Sequence, residues 1–122
     1  MYVHKKIIIN IFGYLILIIN TVAANHLVEI SEVSLGKRIY TDRCEVCHGS
    51  QGDGKTFAAN ALYPTPKNFT AKVTKKELTS ERMIESITRG RPGTAMMPWE
   101  FILSKQEIRS VVKYIQQSLM GL

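Results

Sequence analysis

The sequence predicts an all-α fold in a single small domain, and three observations support this prediction. The chain has 122 residues, of which 45% are hydrophobic and 21% charged, the usual composition of one globular domain. Apolar residues recur at helical spacing in several segments, whereas no short window alternates as a half-buried strand does. Two cysteines are too few for a disulfide scaffold, and the length excludes two independent cores.

Residues 1–24 are predicted to be a secretory signal peptide. A lysine pair at residues 5–6 forms a positive n-region, and an apolar stretch follows at residues 7–19. Small residues at 22–24 fit a signal-peptidase site, which leaves residues 25–122 as the mature domain. The alternative is an uncleaved membrane anchor, because the apolar stretch and its flank have about the minimum length that spans a bilayer. Both interpretations place the domain outside the cytoplasm, and we expect it in the periplasm.

The charge of the chain argues against nucleic acid as its main partner. The formal net charge is +6, and the lysine pair of the n-region contributes to it. The excess that remains in the domain is mild and includes no block of consecutive basic residues, which nucleic-acid-binding segments usually carry.

The first helix of the domain is expected to start at Ser34, its N-cap, and to run toward Cys44. It should end near His48, because three glycines follow within six residues. Residues 56–71 contain two prolines in an irregular context and predict a loop with at most one helical turn.

Two further helices are predicted nearer the carboxyl terminus. One covers residues 80–89, with Thr79 or Ser80 as its N-cap and Gly90 after its last turn. A loop bounded by prolines follows, and the last helix begins with a capping box formed by Ser104 and Glu107.

The chemistry resides in a pentapeptide, Cys-Glu-Val-Cys-His, at residues 44–48. A thioredoxin-like redox site would follow a strand, and none is predicted here. A structural zinc site needs four ligands, whereas the domain adds only His26 to these three. A disulfide across two intervening residues would close a short, strained loop. The spacing is instead that of the attachment sequence for c-type haem.

That chemistry requires this arrangement of residues. Cys44 and Cys47 lie about one helical turn apart, so their thiols can reach the two vinyl groups of one haem. The adjacent His48 then provides the proximal iron ligand. Behind an export signal and without a third cysteine, the motif predicts one covalently attached haem c per chain.

The second axial ligand is sought by elimination among the remaining histidines and methionines. His4 would leave with the signal peptide, and His26 lies at the start of the mature chain. Met1 is the initiator, whereas Met83 and Met120 occupy helical positions where core packing is expected.

Met96 and Met97 remain, and both lie in the proline-bounded loop at residues 91–99. Met97 is the predicted iron ligand, because Pro98 holds the residue before it extended. Met96 stays open as the alternative, and the methionine that does not bind iron is expected to pack against the haem edge.

Three segments together resemble the class I monohaem cytochrome c family. They are Cys-x-x-Cys-His-Gly at residues 44–49, Gly-Arg-Pro-Gly-Thr-Ala-Met-Met-Pro at 90–98 and Val-x-x-Tyr-Ile at 111–115, and the resemblance covers residues 31–120. It implies a cytochrome c fold, in which three to four helices wrap around one covalently bound haem. The doubled methionine departs from the single methionine usual in the family.

The resemblance also implies two contacts. In the family the first and last helices cross beside the haem, and the positions of that crossing match four residues here: Gly36, Tyr40, Val111 and Tyr114. A proline carbonyl of the family accepts a hydrogen bond from the proximal histidine, a role that falls to Pro64 or Pro66 in this sequence.

The predicted function is electron transfer, with one electron carried on the haem iron between His48 and Met97. The sequence has no carboxylate pair and no nucleophile–base constellation, so we expect a carrier and no catalytic residues. The alternative is a haem-binding subunit or sensor domain of a larger oxidoreductase, with a labile distal ligand. The expected partners are redox proteins, with a membrane involved only if the anchor is retained.

Basic residues offer one route to such partners. Lys72, Lys75 and Lys76 form either a solvated face or, with Arg89 and Arg91, a basic rim that steers an acidic redox protein.

Overall fold

The computed structural model describes residues 2–122, and it describes the side chains of residues 14–19 and 21–122. The charged n-region of the predicted signal peptide, His4 with Lys5 and Lys6, and the initiator Met1 lie outside the described side chains. Five α-helices occur in this part of the chain, and no strand does: α1 Tyr2–Arg43, α2 Glu45–His48, α3 Lys72–Glu77, α4 Ser80–Arg89 and α5 Lys105–Tyr114. A 3₁₀ turn at Ala59–Ala61 and a π-helical extension at Ile115–Met120 complete them. The all-α prediction is confirmed.

The described chain forms two compact units, residues 1–31 and residues 32–122. In the first unit, the described side chains of α1 are exposed, and many are large and apolar. Among the described residues one helical segment, Tyr14–Arg43, is long and apolar enough to cross a membrane, a property that signal sequences share. The choice between cleavage and anchoring therefore stays a prediction.

The start predicted for the first helix is wrong. Ser34 lies inside α1, because the helix continues without interruption from the preceding residues. Its side chain is exposed. A serine caps a helix only where the chain before it leaves helical geometry, and no proline precedes Ser34 to force that. The predicted end is confirmed: α1 stops at Arg43, and α2 continues to His48 before Gly49 adopts a φ of 81°.

The other helices mostly follow their sequence signals. The side chain of Thr79 accepts a hydrogen bond from the backbone of Arg82 and caps α4, and Ser104 and Glu107 form the predicted capping box of α5. The loop after the pentapeptide contains only the 3₁₀ turn, as expected. Helix α3 was not predicted, because it is short and polar and buries only Thr74.

The second unit has one hydrophobic core, to which α1, α4, α5 and the π-helical extension contribute. Met83 and Met120 are 3% and 0% exposed, which confirms their predicted packing role. The buried members are Ile39, Tyr40, Phe69, Met83, Ile87, Leu103, Ile108, Val111, Val112, Tyr114, Ile115 and Met120.

Helices α1 and α5 meet so closely that one position excludes a side chain. A Cβ built on Gly36 would lie 1.9 Å from the carbonyl oxygen of Ser110. Beside this point the rings of Tyr40 and Tyr114 pack with their centroids 5.4 Å apart. Lys113 donates to Glu32 across the same pair of helices at 2.8 Å. The glycine and the tyrosines therefore form the contact that the resemblance implied.

Gly36→Ala should destabilise the domain, because backbone atoms of α5 would have to move by more than 1 Å. We expect a loss of about 2 kcal/mol or more in the free energy of unfolding, as overpacking a rigid contact causes. Chemical denaturation of the haem-loaded protein measures it.

Ser110→Ala is the matched control at the same contact. Its hydroxyl is buried and has no hydrogen-bond partner among the described residues, so its loss should leave stability unchanged or slightly raised. Equal denaturation midpoints for Gly36→Ala and the wild type would contradict the close helix contact.

Candidate functional site

The pentapeptide is placed by a helical continuation of α1. The backbone N–H of Cys44 donates to the Tyr40 carbonyl at 2.8 Å, and the N–H groups of Cys47 and His48 donate to the Cys44 carbonyl at 3.2 and 2.9 Å. Both cysteines are free and half-buried. The helical turn thus separates the two thiols by the spacing that the sequence predicted, with the imidazole directly after them.

An open cavity of about 790 Å³, part of it solvent, lies beside this turn. Cys44 and His48 line it, whereas Cys47 is not among its lining residues. The apolar part of the lining comprises Phe69, Leu78, Met83, Ile87, Met96 and Ile115. The polar and charged part comprises Tyr40, Lys67, Glu77, Arg82, Ser86 and Arg91. A mostly apolar wall with charges on part of its lining suits a flat apolar cofactor with an acidic edge.

The imidazole of His48 is oriented by a backbone carbonyl. Its Nδ1 donates to the carbonyl oxygen of Lys67 at 3.2 Å, which leaves Nε2 as the nitrogen available to a metal. The prediction that Pro64 or Pro66 accepts this bond is wrong. The Pro66 carbonyl faces Gly54 instead, where an added Cβ would lie 2.8 Å from the oxygen.

Burial also favours the uncharged forms of the site residues. Desolvation lowers the pKa of His48, and the hydrogen bond to Lys67 opposes this only in part. Burial, with a smaller contribution from Cys47, raises the pKa of the Cys44 thiol to about 12. Neutral imidazole is the form of histidine that binds a metal.

Tyr40 ties the end of the motif to α1. Its hydroxyl donates to the Gly49 carbonyl at 2.7 Å, and the side chain is 1% exposed. The backbone N–H of Gly54 donates to the His48 carbonyl at 2.8 Å. Hydrogen bonds to the His48 and Gly49 carbonyls therefore hold the backbone at the end of the motif.

The methionine loop is closed by a backbone hydrogen bond from Arg91 to the Met96 carbonyl, at 2.9 Å. Met96 lines the cavity and packs, partly buried, against the core. The side chain of Met97 is 49% exposed and is not among the lining residues. The structure thus brings Met96 to the same cavity as His48, while Met97 stands outside the core packing.

The residues around the cavity fit a haem. The cavity is lined by the Cys44 thiol, the His48 imidazole, Met96 and an apolar wall, and the Cys47 thiol lies one helical turn from Cys44. Within the described residues, no group of three or more His, Cys, Asp or Glu side chains could hold a metal ion on its own.

Comparison with known proteins gives a consistent result. A family model described as "Cytochrome c" matches residues 33–118. No curated protein matches the chain. The solved structure titled "KustC0563 c-type cytochrome" is 26% identical, covers 67% of this chain and 94% of its own, and superposes with a TM-score of 0.56.

A second similar structure belongs to a larger assembly. It is the "Kuenenia stuttgartiensis reducing HAO-like protein complex Kustc0457/Kustc0458", 29% identical over 70% of this chain, with a TM-score of 0.58. The match covers 41% of that chain, so this protein corresponds to less than half of it.

Proposed function

This chain belongs to the cytochrome c family, and from that premise we propose that it is an exported one-electron carrier with His/Met axial ligation. The family carries covalently bound haem c, and Cys44 and Cys47 have the spacing of its attachment motif. One observation carries the proposal: Cys44 and His48 line the same cavity, and the Lys67 carbonyl orients the His48 imidazole. When bound, the haem supplies an iron that takes up and releases one electron.

The protein's own residues would hold and insulate that iron. Cys44 and Cys47 would form the two thioether bonds, and His48 would bind through Nε2. Its Nδ1–H donates to the Lys67 carbonyl, which selects Nε2 as the ligating nitrogen and raises the basicity of the imidazole as a ligand. Buried side chains such as Met83 and Ile87 keep water from the inner wall of the cavity.

For the distal ligand we retain Met97, with Met96 as the competitor. Met96 is engaged in packing against the core, whereas the thioether of Met97 is not held there. Pro98 restricts Met97 to an extended backbone, which supports a fixed presentation of the side chain. The position of Met96 in the cavity lining supports the opposite choice, so variants of both residues are needed to identify the ligand.

Export is part of the proposal. Cytochromes of this family are typically exported, and the exposed apolar residues of α1 are compatible with a signal peptide ending at residue 24 or with a retained anchor. The amino-terminal sequence of the purified protein distinguishes them, because cleavage would leave Asn25 first.

Partner docking is proposed at the lysines of α3. Lys72 and Lys76 are exposed, which suits electrostatic steering of an acidic redox protein. Arg89 is engaged with Glu85 at 3.1 Å and contributes less to such a rim. Electron-transfer rates with an acidic partner should fall as salt rises, and rates independent of salt would count against the rim.

A second candidate function is that of a subunit in a larger oxidoreductase. The similarity to part of the Kustc0457/Kustc0458 complex supports it. A subunit would migrate, in a gently lysed extract, with haem-containing species much larger than the 13.8 kDa chain, whereas a carrier would migrate alone.

Attachment is tested by the two cysteines. The wild type should be heavier than its polypeptide by one haem, and acid–acetone should extract no pigment. Cys44→Ser and Cys47→Ser should each leave a single thioether and release haem more readily. Denaturing gels stained for haem and mass spectrometry measure this, and intact haem extracted from the wild type would refute attachment.

The methionine pair identifies the distal ligand. Ferric haem with a thioether ligand has a weak charge-transfer band at the red end of the spectrum. Met97→Leu should abolish this band and lower the reduction potential, because a thioether favours ferrous iron. Leucine nearly preserves the side-chain volume, so loss of the band reports ligation and not collapse.

Met96→Leu is the matched control and should keep most of the band. If Met96→Leu alone removes it, Met96 is the ligand and the carrier function stands. If the wild type lacks the band, His/Met ligation is refuted.

A further inference from the structure

The imidazole of His48 has an aromatic neighbour that the proposed function does not use. The rings of His48 and Phe69 are stacked, with centroids 4.9 Å apart and planes 15° from parallel. Phe69 is 6% exposed and lines the same cavity as His48. The face of the imidazole is thus covered by a second flat ring.

The backbone holds this phenyl ring in place. The N–H of Phe69 donates to the Gly52 carbonyl at 2.7 Å, which fastens the segment to the turn directly after the motif. A Cβ on Gly52 would lie 3.1 Å from Phe69 Cδ2 and 3.0 Å from Leu119 Cδ1. The space between the turn and the π-helical extension is therefore filled by the ring, which has little freedom to tilt.

The two contacts on the imidazole constrain different motions. The hydrogen bond from Nδ1 to Lys67 fixes one atom, yet the ring could still rotate about the line through that bond. A parallel ring against its face opposes this rotation, since tilting the imidazole would press its edge into the phenyl ring. Together the carbonyl and the phenyl ring define the imidazole plane.

We propose that Phe69 is a positioning residue for the proximal ligand, setting the plane of the His48 imidazole and shielding it from water. This rests on the proposed role of His48 as iron ligand. The orientation of an axial imidazole plane determines how unpaired spin is distributed over the haem in the ferric state. Exclusion of water from the imidazole favours the less charged ferrous state. Both the spin distribution and the reduction potential therefore depend on Phe69.

The test uses the haem-loaded protein and a set of three variants. Phe69→Leu removes the flat ring but keeps an apolar side chain, and Phe69→Tyr keeps the ring. Val112→Ala removes buried carbon from α5, outside the cavity lining, and controls for a general loss of stability. The measurements are the hyperfine-shifted haem-methyl signals of the ferric protein, the reduction potential and the denaturation midpoint.

Phe69→Leu should change the spread of the haem-methyl shifts and lower the reduction potential. Phe69→Tyr, which keeps the ring, should leave both close to their wild-type values. Val112→Ala should lower only the denaturation midpoint. If Phe69→Leu leaves the shifts and the potential at wild-type values, or Val112→Ala alters them equally, the positioning role is refuted while the electron-carrier function stands.

The wild type gives an independent measurement should Phe69→Leu fail to accumulate. Nuclear Overhauser contacts between the ring protons of Phe69 and those of His48 are expected in the ferrous, diamagnetic protein. Their absence would overturn the proposal. A wild type without the spectrum of histidine-ligated low-spin haem would instead refute the proposed function itself.

Discussion

The fixed imidazole of His48 is the constraint on which the rest of the domain depends, because the group that orients it lies nineteen residues downstream. The chain must leave the motif, turn and return so that the Lys67 carbonyl and the Phe69 ring reach the imidazole. The glycine-rich turn makes this possible, since the His48 carbonyl accepts from Gly54 and the Gly52 carbonyl accepts from Phe69. Tyr40 joins the same turn to the first helix through the Gly49 carbonyl.

The contact between α1 and α5 also helps to position the His48 imidazole. Gly36 lets α1 approach the backbone of α5, and the paired rings of Tyr40 and Tyr114 fill the space beside that contact. The motif lies at the end of α1, so the close contact determines where Cys44 and His48 stand relative to the core. A domain of this size has a small core of its own, and a cofactor bound within it adds its binding free energy to folding.

Local signals in the sequence predicted the parts of the molecule that local chemistry determines. The Ser104–Glu107 capping box, the Thr79 cap and the Cys-x-x-Cys-His spacing all act within one or two helical turns, and each is readable from neighbouring residues. The N-cap prediction for Ser34 is wrong, because a serine caps a helix only where the preceding chain is not helical, and the chain before Ser34 is helical.

Contacts between distant segments could not be read in the same way. The Lys67 carbonyl belongs to the backbone and leaves no mark in the sequence, whereas the family resemblance implies a proline carbonyl as the partner of His48. The stacking of Phe69 and the different settings of Met96 and Met97 likewise depend on how the loops pack. Helix α3 could not be predicted, because its six residues show no apolar periodicity.

We propose that two protein ligands bind the iron and leave no open position for substrate. Carbon monoxide tests it most directly, because this gas binds ferrous haem only where an axial position is free or easily vacated. The visible spectrum of the reduced protein should remain unchanged under carbon monoxide at neutral pH. Prompt formation of a carbon monoxide complex would contradict the carrier and favour a sensor or a catalytic subunit with a labile distal ligand.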